Sequence, residues 1–340
     1  MNIPLSVKLK RGWQLLSLEA IYFMKRSQQY LTGTTPLGEL DVLYKQMSSD
    51  SEKAGQLYRS SVQWERINRE FRRHMYNTGI DNFKSGYYNT RFAAPEPQRP
   101  QIYSGLLWVY YNQLKKRDSL KLLDRIEEPK YGGEGYCVTI ENKRISLDLL
   151  QSIDEFYCIY EALNHENKDH YIIAELGAGY GRLSYIFLEA MPNVTYVTFD
   201  LPESLLISQN YLTTIFSNQP TLKYEESRKL DTINRSNLMK YKLAFMLPHQ
   251  LENVVKDTFD VFTNIYSMQE MKPQQIENYF KIIDKTCSGV FSLKQHYKEN
   301  NRWDKVVIDK ETYPIRSNWK QLFTRTSTLY QHVFESLYRV

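Results

Sequence analysis

YIIAELGAGYGRLSYIFLEAMPNVTYVTFD occupies residues 171–200. Tyr171 to Leu176 is a short apolar run of the kind a buried strand shows. Three glycines follow, at 177, 179 and 181. From Arg182 to about Ala190, the residues Leu183, Ile186, Phe187 and Ala190 recur at helical spacing and share one face. Pro192 and Asn193 break that helix, and a second strand, Thr195 to Phe199, ends on Asp200. The stretch therefore reads as a β–glycine turn–α–β unit, which opens a nucleotide-binding α/β domain. Glycines let the backbone turn sharply and approach a ligand without Cβ clashes. The helix N-terminus behind them offers unpaired N–H groups. An acid at the end of the second strand can accept hydrogen bonds from ribose hydroxyls.

Spacing separates the cofactor classes. A dinucleotide fingerprint, G-x-G-x-x-G, needs glycine at 182, where this chain has arginine. The pattern is instead E-x-G-x-G-x-G, from Glu175 to Gly181. It is similar to the first motif of class I S-adenosylmethionine-dependent methyltransferases. In that family the acid ending the first strand sits near the methionine end of the cofactor, and the glycines pass beneath it. The resemblance implies cofactor-binding roles for Glu175, Gly177, Ala178, Gly179, Gly181, Asp200 and Leu201. The bland alternative is an ordinary strand–turn–helix. Glu175, the three glycines and Asp200 together favour the cofactor site.

A length of 340 residues suits two units, and 42% hydrophobic residues is a globular composition. The 27 tyrosines are more often packing than stacking surface. Lys and Arg exceed Asp and Glu by 44 − 39 = +5, which allows an anionic partner without demanding one. Nucleic acid is not expected as a partner: the charge is modest, and NIYS stands where nucleic-acid enzymes carry an Asn/Asp-Pro-Pro-aromatic motif. Three scattered cysteines make neither a zinc pattern nor a disulfide framework. No secretory leader is read at the N-terminus, where Glu19 interrupts the apolar run, and no apolar stretch is long enough to span a bilayer. The expected location is cytoplasmic, with the inner membrane face as a variant.

The chain divides into a mostly helical region, 1–140, expected to cap the acceptor site as a lid or to serve oligomerisation, and an α/β domain, 141–340. Residues 5–26 are basic and amphipathic: a membrane-surface or partner-docking helix, or one packed on its own domain. Turn signals occupy 31–50, a helical pattern 51–76, a proline-rich loop or lid 91–100, and a second helical pattern 101–126. The glycine-rich 129–135 is either a ligand-contacting loop or a connection. Ser146 caps an apolar-striped helix, and 164–169 is a polar linker. Beyond Asp200 come a helix (201–216), a polar insertion (217–242), a third strand (243–247), a fourth (259–265), a helix opened by Pro273 and a fifth strand (290–293). Residues 294–318 read as irregular, and strands near 320–326 and 333–340 as an antiparallel hairpin. Alternation of this kind predicts a doubly wound sheet.

These segments also resemble the sugar O-methyltransferase family of bacteria. The resemblance rests on ELGAGYGR (175–182), FDLPESL (199–205), LPHQL (247–251) and D-x-F-x-N-x-x-S-M-Q-E-M (260–271). It extends more weakly to ISLDLLQSIDEF (145–156) and WERINREF (64–71). It implies a Rossmann-like class I methyltransferase sheet of seven strands with a terminal antiparallel hairpin. It also implies S-adenosyl-L-methionine as cofactor, a sugar or polysaccharide acceptor, and work in surface-polysaccharide biosynthesis.

Methyl transfer to a hydroxyl needs alignment of oxygen, methyl and sulfur, and a base for the hydroxyl proton. Glu270, just past the fourth strand, is the first candidate base, and a helix N-terminal Glu is its bland reading. His249, after the third strand, is the second, as base or adenine-side wall. Gln250 could bond the adenine amine, and Asn264 the methionine end of the cofactor. Ser267, Arg182 and His296 are candidate substrate contacts, Arg182 for an anionic acceptor. No metal-ligand spacing stands out, although a divalent ion held by carboxylates is compatible with the class. The competing readings are a natural-product O-methyltransferase and a non-catalytic cofactor-binding scaffold. Homo-oligomerisation is left open.

Overall fold

The computed structural model describes residues 38–84, 100–133, 136–163 and 168–340. The amphipathic stretch 5–26, the proline-rich loop up to residue 99 and most of the polar linker lie outside them. The helices are α1 (Glu39–Lys53), α2 (Val62–Thr78), α3 (Pro100–Lys115), α4 (Leu122–Arg125), α5 (Leu147–Leu163), α6 (Arg182–Ala190), α7 (Pro202–Ile215), α8 (Tyr224–Ser227), α9 (Arg235–Leu238) and α10 (Pro273–Thr286). The strands are β1 (Cys137–Ile140), β2 (Lys143–Ser146), β3 (Tyr171–Leu176), β4 (Val194–Phe199), β5 (Thr221–Leu222), β6 (Leu243–Met246), β7 (Phe259–Ile265), β8 (Cys287–His296), β9 (Lys298–Asn301), β10 (Val306–Asp309), β11 (Lys320–Thr326) and β12 (Val333–Arg339).

One eight-stranded sheet organises the molecule, in the order β11-β12-β8-β7-β3-β4-β6-β5. The strands from β8 across to β5 pair in parallel. β12 enters antiparallel to β8, and β11 antiparallel to β12. This is the Rossmann-like arrangement expected, seven strands with a terminal hairpin, extended at one edge by the two-residue β5. β3 and β4 are buried along their whole length, as parallel strands covered by helices on both faces must be. After β4 and β6 the chain returns to the other side of β3 to lay down β7. The carboxyl ends of β3, β4 and β7 therefore meet at the topological switch point, where open α/β sheets bind ligands.

Each face of the sheet carries its own apolar cluster. One holds Leu183, Phe187 and Leu205 of α6 and α7 together with Leu43, Phe71 and Tyr110 of α1, α2 and α3. The other packs Ile276, Phe280 and Ile283 of α10 against Phe262, Phe291 and Trp319. The N-terminal helices thus share the core of the α/β part. A buried lysine fixes them there: Lys84 Nζ donates to Glu128 Oε1 at 2.6 Å and to the Tyr211 hydroxyl at 3.0 Å. Lys84 N also donates to Gly132 O at 2.7 Å, so the described part of the 129–135 loop is a packed connection.

The structure departs from the sequence reading in several segments: the 51–76 helical pattern is interrupted between Lys53 and Val62, the 101–126 pattern between Lys115 and Leu122, and β1 and β2 form an antiparallel hairpin across the expected boundary at 140. Most of 31–50 is helix, because α1 lays Leu43 and Met47 into the core. The insertion 217–242 contains β5, α8 and α9. The region 294–318 contains the β9–β10 hairpin, and β8 continues to His296. Ser146 does cap α5, its Oγ accepting from Leu149 N at 3.0 Å. Among the described residues no helix is long and apolar enough to cross a membrane.

Candidate active site

The cleft begins where β3 ends. Gly177 N donates to Phe199 O at 2.8 Å, carrying the pairing one residue beyond the strand. Gly177 has φ +79, and an added Cβ would lie 2.3 Å from Ser267 Oγ, so only glycine fits. Gly181, at φ +89, starts α6, and a Cβ there would stand 2.6 Å from Leu212 Cδ1. Between them Gly179 N donates to Asp200 Oδ2 at 2.7 Å, and Leu201 N donates to Asp200 Oδ1 at 2.7 Å. Asp200 is thereby aimed at the glycine turn from the adjacent strand.

Burial pushes the Asp200 carboxyl up to about 7, although the two backbone N–H bonds pull it down and Glu203 adds to the rise. Burial likewise pushes Glu175 up to about 8, against the hydrogen bond from the Tyr196 hydroxyl at 2.8 Å. Two carboxyls perturbed by burial at the mouth of a glycine turn make this cleft the candidate functional site. They suit a ligand with hydroxyl and ammonium donors, which would supply the hydrogen bonds that water supplies elsewhere.

A roof closes the cleft, and it comes from outside the α/β core. Tyr58, Arg59, Ser60, Ser61 and Trp64 face the glycine turn across a cavity of about 190 Å³. Gln275 of α10 holds the strap, its Nε2 donating to Leu57 O at 3.2 Å and Arg59 O at 3.0 Å. The N-terminus of α2 docks on Asp304, whose carboxylate accepts from Val62 N at 3.0 Å and Gln63 N at 3.2 Å. Glu270 completes the attachment: its carboxylate accepts from the Trp64 indole N–H and, at 3.4 Å, from Gln63 Nε2.

Of the residues proposed from the sequence, Glu175, Gly177, Ala178, Gly179, Asp200 and Leu201 line this cleft, as do Arg182, Ser267 and Glu270. Gly181 shapes the turn without lining it. His249 is half-buried outside the lining, although its neighbour Pro248 belongs to it. Burial holds the His249 imidazole below its ordinary value, and its buried Nδ1 has no partner. Gln250 is not free to meet an adenine: its Oε1 accepts from Leu247 N at 2.8 Å, and its Nε2 donates to Ser227 O at 2.9 Å. Asn264 is a fully buried clamp, with Nδ2 on Leu176 O and Ser267 Oγ and Oδ1 accepting from Met268 N. His296, outside the lining, places Nδ1 2.6 Å from Glu299 Oε2.

Arg182 already has an anion. It donates to Glu155 Oε2 at 2.6 Å, Glu155 Oε1 at 3.1 Å and Ser152 Oγ at 2.8 Å. Lys294 Nζ reaches the same Glu155 at 3.0 Å and Glu335 at 2.9 Å. An anionic acceptor would have to compete with this buried pairing. A cap from the N-terminal region is expected from the sequence, but of the roof residues only Trp64 figures in that reading, within the WERINREF stretch, and Tyr266 has no role in it. Trp64 there was one apolar position of a helix, and nothing local tied it to Glu270. Among the described residues, no group of three or more His, Cys, Asp or Glu could hold a metal ion.

No protein-family model matches the chain. Residues of this chain are 27% identical over 138 positions to the ribosomal RNA small subunit methyltransferase A of Francisella tularensis subsp. tularensis, in strains FSC 198 and SCHU S4. The match covers 38% of this chain, which spans about half the length (50%) of these curated relatives. Among solved structures, PH0226 protein from Pyrococcus horikoshii OT3 is similar at 14% identity, covering 54% of this chain and 91% of that one, with TM-score 0.36. The pyocyanin biosynthetic protein PhzM is similar at 10% identity, covering 56% and 57%, with TM-score 0.36. A protein assigned as a sarcosine dimethylglycine methyltransferase, from Galdieria sulphuraria, is 11% identical, covering 60% and 91%, with TM-score 0.39. Scores in this range carry no argument, and the fold rests on the strand order.

Proposed function

We propose that the protein is an S-adenosylmethionine-dependent O-methyltransferase acting on a hydroxyl of a sugar, of the kind built into surface polysaccharide. The observation that carries the reading is the junction of Asp200 with Gly179 at the ends of adjacent parallel strands, beneath a roofed cleft that also holds Glu270. The partial match to a methyltransferase and the E-x-G-x-G-x-G motif support the same donor. The sugar rests on the motifs of residues 175–182, 199–205, 247–251 and 260–271.

In this reading Asp200 accepts the ribose hydroxyls, the glycine turn lies against the methionine portion, and Glu175 faces the ammonium end. The bound cofactor supplies an activated methyl group on a sulfonium. The chain's own work is alignment, exclusion of water by the 58–64 roof, and removal of the acceptor's proton. Glu270 takes that proton once the acceptor hydroxyl displaces the long 3.4 Å bond from Gln63. Tyr58 and Trp64 offer apolar faces against which a sugar ring can lie. A sugar is preferred to nucleic acid because the net charge, +5, is modest.

The test is transfer of tritiated methyl from S-adenosylmethionine to a set of free, nucleotide-linked and lipid-linked sugars. Label should appear in one acceptor, and Glu270→Gln should lower the rate by about 10²–10⁴-fold. Transfer to amines and to no hydroxyl would overturn the reading.

A further inference from the structure

Tyr279 stands one turn beyond Gln275 on α10, and both line the cleft, since positions four apart share a helix face. Its ring belongs to the apolar cluster of Ile276, Phe280 and Ile283, and the Tyr58 ring of the roof packs edge-on against it, with centres 6.0 Å apart. The residue is only 3% exposed. A phenylalanine would satisfy that packing, and the hydroxyl is what the packing leaves over. The neighbouring Tyr58 hydroxyl is engaged, donating to Glu252 Oε1 at 2.6 Å and accepting from Asn278 Nδ2 at 3.0 Å. Among the described residues no protein group bonds the Tyr279 hydroxyl. Its oxygen is nevertheless not sealed in the core, as that of Tyr266 is: it keeps accessible surface, and the space beside it is the cleft. A phenol held in a core with its one polar atom turned to a cavity calls for a bonding partner there.

The surroundings restrict what that partner is. Burial keeps the phenol well above its ordinary value, and Tyr58 and the Asp200 carboxyl add to the rise, so the hydroxyl stays protonated within the field of Asp200. Each Asp200 oxygen accepts one backbone N–H, from Gly179 or Leu201, and a carboxylate has lone pairs for more. A ligand hydroxyl that donates to Asp200 keeps its own lone pairs, and a protonated phenol close by can fill one of them. We propose that Tyr279 is a cofactor-binding residue whose hydroxyl donates to the same ribose hydroxyl that donates to Asp200. The pair makes the cleft selective for a ribonucleoside over a deoxyribonucleoside. This rests on the methyltransferase reading of the cleft, and it adds a contact from the helix after β7 that neither the glycine turn nor the end of β4 supplies.

Two measurements test it. In urea unfolding without ligand, Tyr279→Phe should have a midpoint at or above that of the unmodified protein, since it removes only a hydroxyl that no protein group bonds. A lower midpoint would reveal a structural partner and overturn the proposal. In calorimetric titrations of the full chain, Tyr279→Phe should weaken S-adenosylhomocysteine by about three- to tenfold, the worth of one neutral hydrogen bond. The variant should bind as the unmodified protein does whichever of the 2′-deoxy and 3′-deoxy forms lacks the bonded hydroxyl. Equal weakening of all three ligands would put the contact elsewhere on the cofactor, and no weakening of any would leave the hydroxyl to solvent; either result overturns the proposal while the methyltransferase reading stands. Failure of the unmodified protein to bind S-adenosylhomocysteine would bring down that reading and the proposal together.

Discussion

Asp200 is buried with its carboxyl pushed up to about 7, whereas an unfolded Asp titrates near 3.9. Between those values the unfolded chain releases a proton that the folded chain keeps, so stability falls as pH rises from about 4 to about 7. Below both values the carboxyl is protonated in both states, the stability is fully present and the pH dependence vanishes. Asp200→Asn should flatten this dependence by up to about 1.4 kcal/mol per pH unit, read from urea unfolding between pH 5 and pH 7. An unchanged slope would mean that Asp200 ionises normally. Hydroxyl donors from a ligand favour the carboxylate, so binding should tighten as pH rises toward 7, with release of a proton in that range, and level off above it. At this scale the sequence was legible where backbone geometry forces residue type. Gly177 and Asp200 could be named because turn and strand end leave few alternatives. Gln250 and Asn264 could not be separated from ligand-binding amides, because their partners, Ser227 O at the end of α8 and Leu176 O at the end of β3, come from other parts of the chain.

Elements deliver the roof. α2 lies outside the sheet, yet its first turn is fixed by Asp304 of the β9–β10 connection and by Ser61, whose Oγ accepts from Trp64 N at 3.2 Å. Asp304→Ala should cost about 1 kcal/mol of stability, as loss of a helix cap does, and loosen the strap over the cleft. Hydrogen exchange of residues 58–66 should quicken in the variant, and unaltered exchange there would show that the hairpin does not hold the roof. That hairpin escaped the sequence reading because KENN has low strand propensity and no apolar alternation. β8 was cut short at Leu293 for a related reason. Lys294 and Gln295 look like solvent residues, but Glu155, Glu335 and Asn264 satisfy them inside the sheet. Periodicity registers polarity and is blind to a partner far along the chain.

Across the whole molecule, the parallel core was legible from alternating apolar runs, and the placing of the N-terminal helices was not. Leu43, Met47, Phe71 and Met75 are buried in the cluster that also holds Leu205 and Tyr211. Each contributes about 1.5–3 kcal/mol on burial, against a total of about 5–15 kcal/mol for a typical domain. A fragment of residues 141–340 should therefore show no cooperative urea transition and should aggregate. A sharp transition by near-ultraviolet circular dichroism would mean that the α/β part stands alone.

The central claim is that the glycine turn and Asp200 hold S-adenosylmethionine. Its most direct test is calorimetric titration of S-adenosylhomocysteine into the full chain, beside Asp200→Ala and with NADH as control. The account predicts binding of S-adenosylhomocysteine, weakened at least tenfold in Asp200→Ala, and none of NADH. Binding of NADH alone, or of neither, would contradict it.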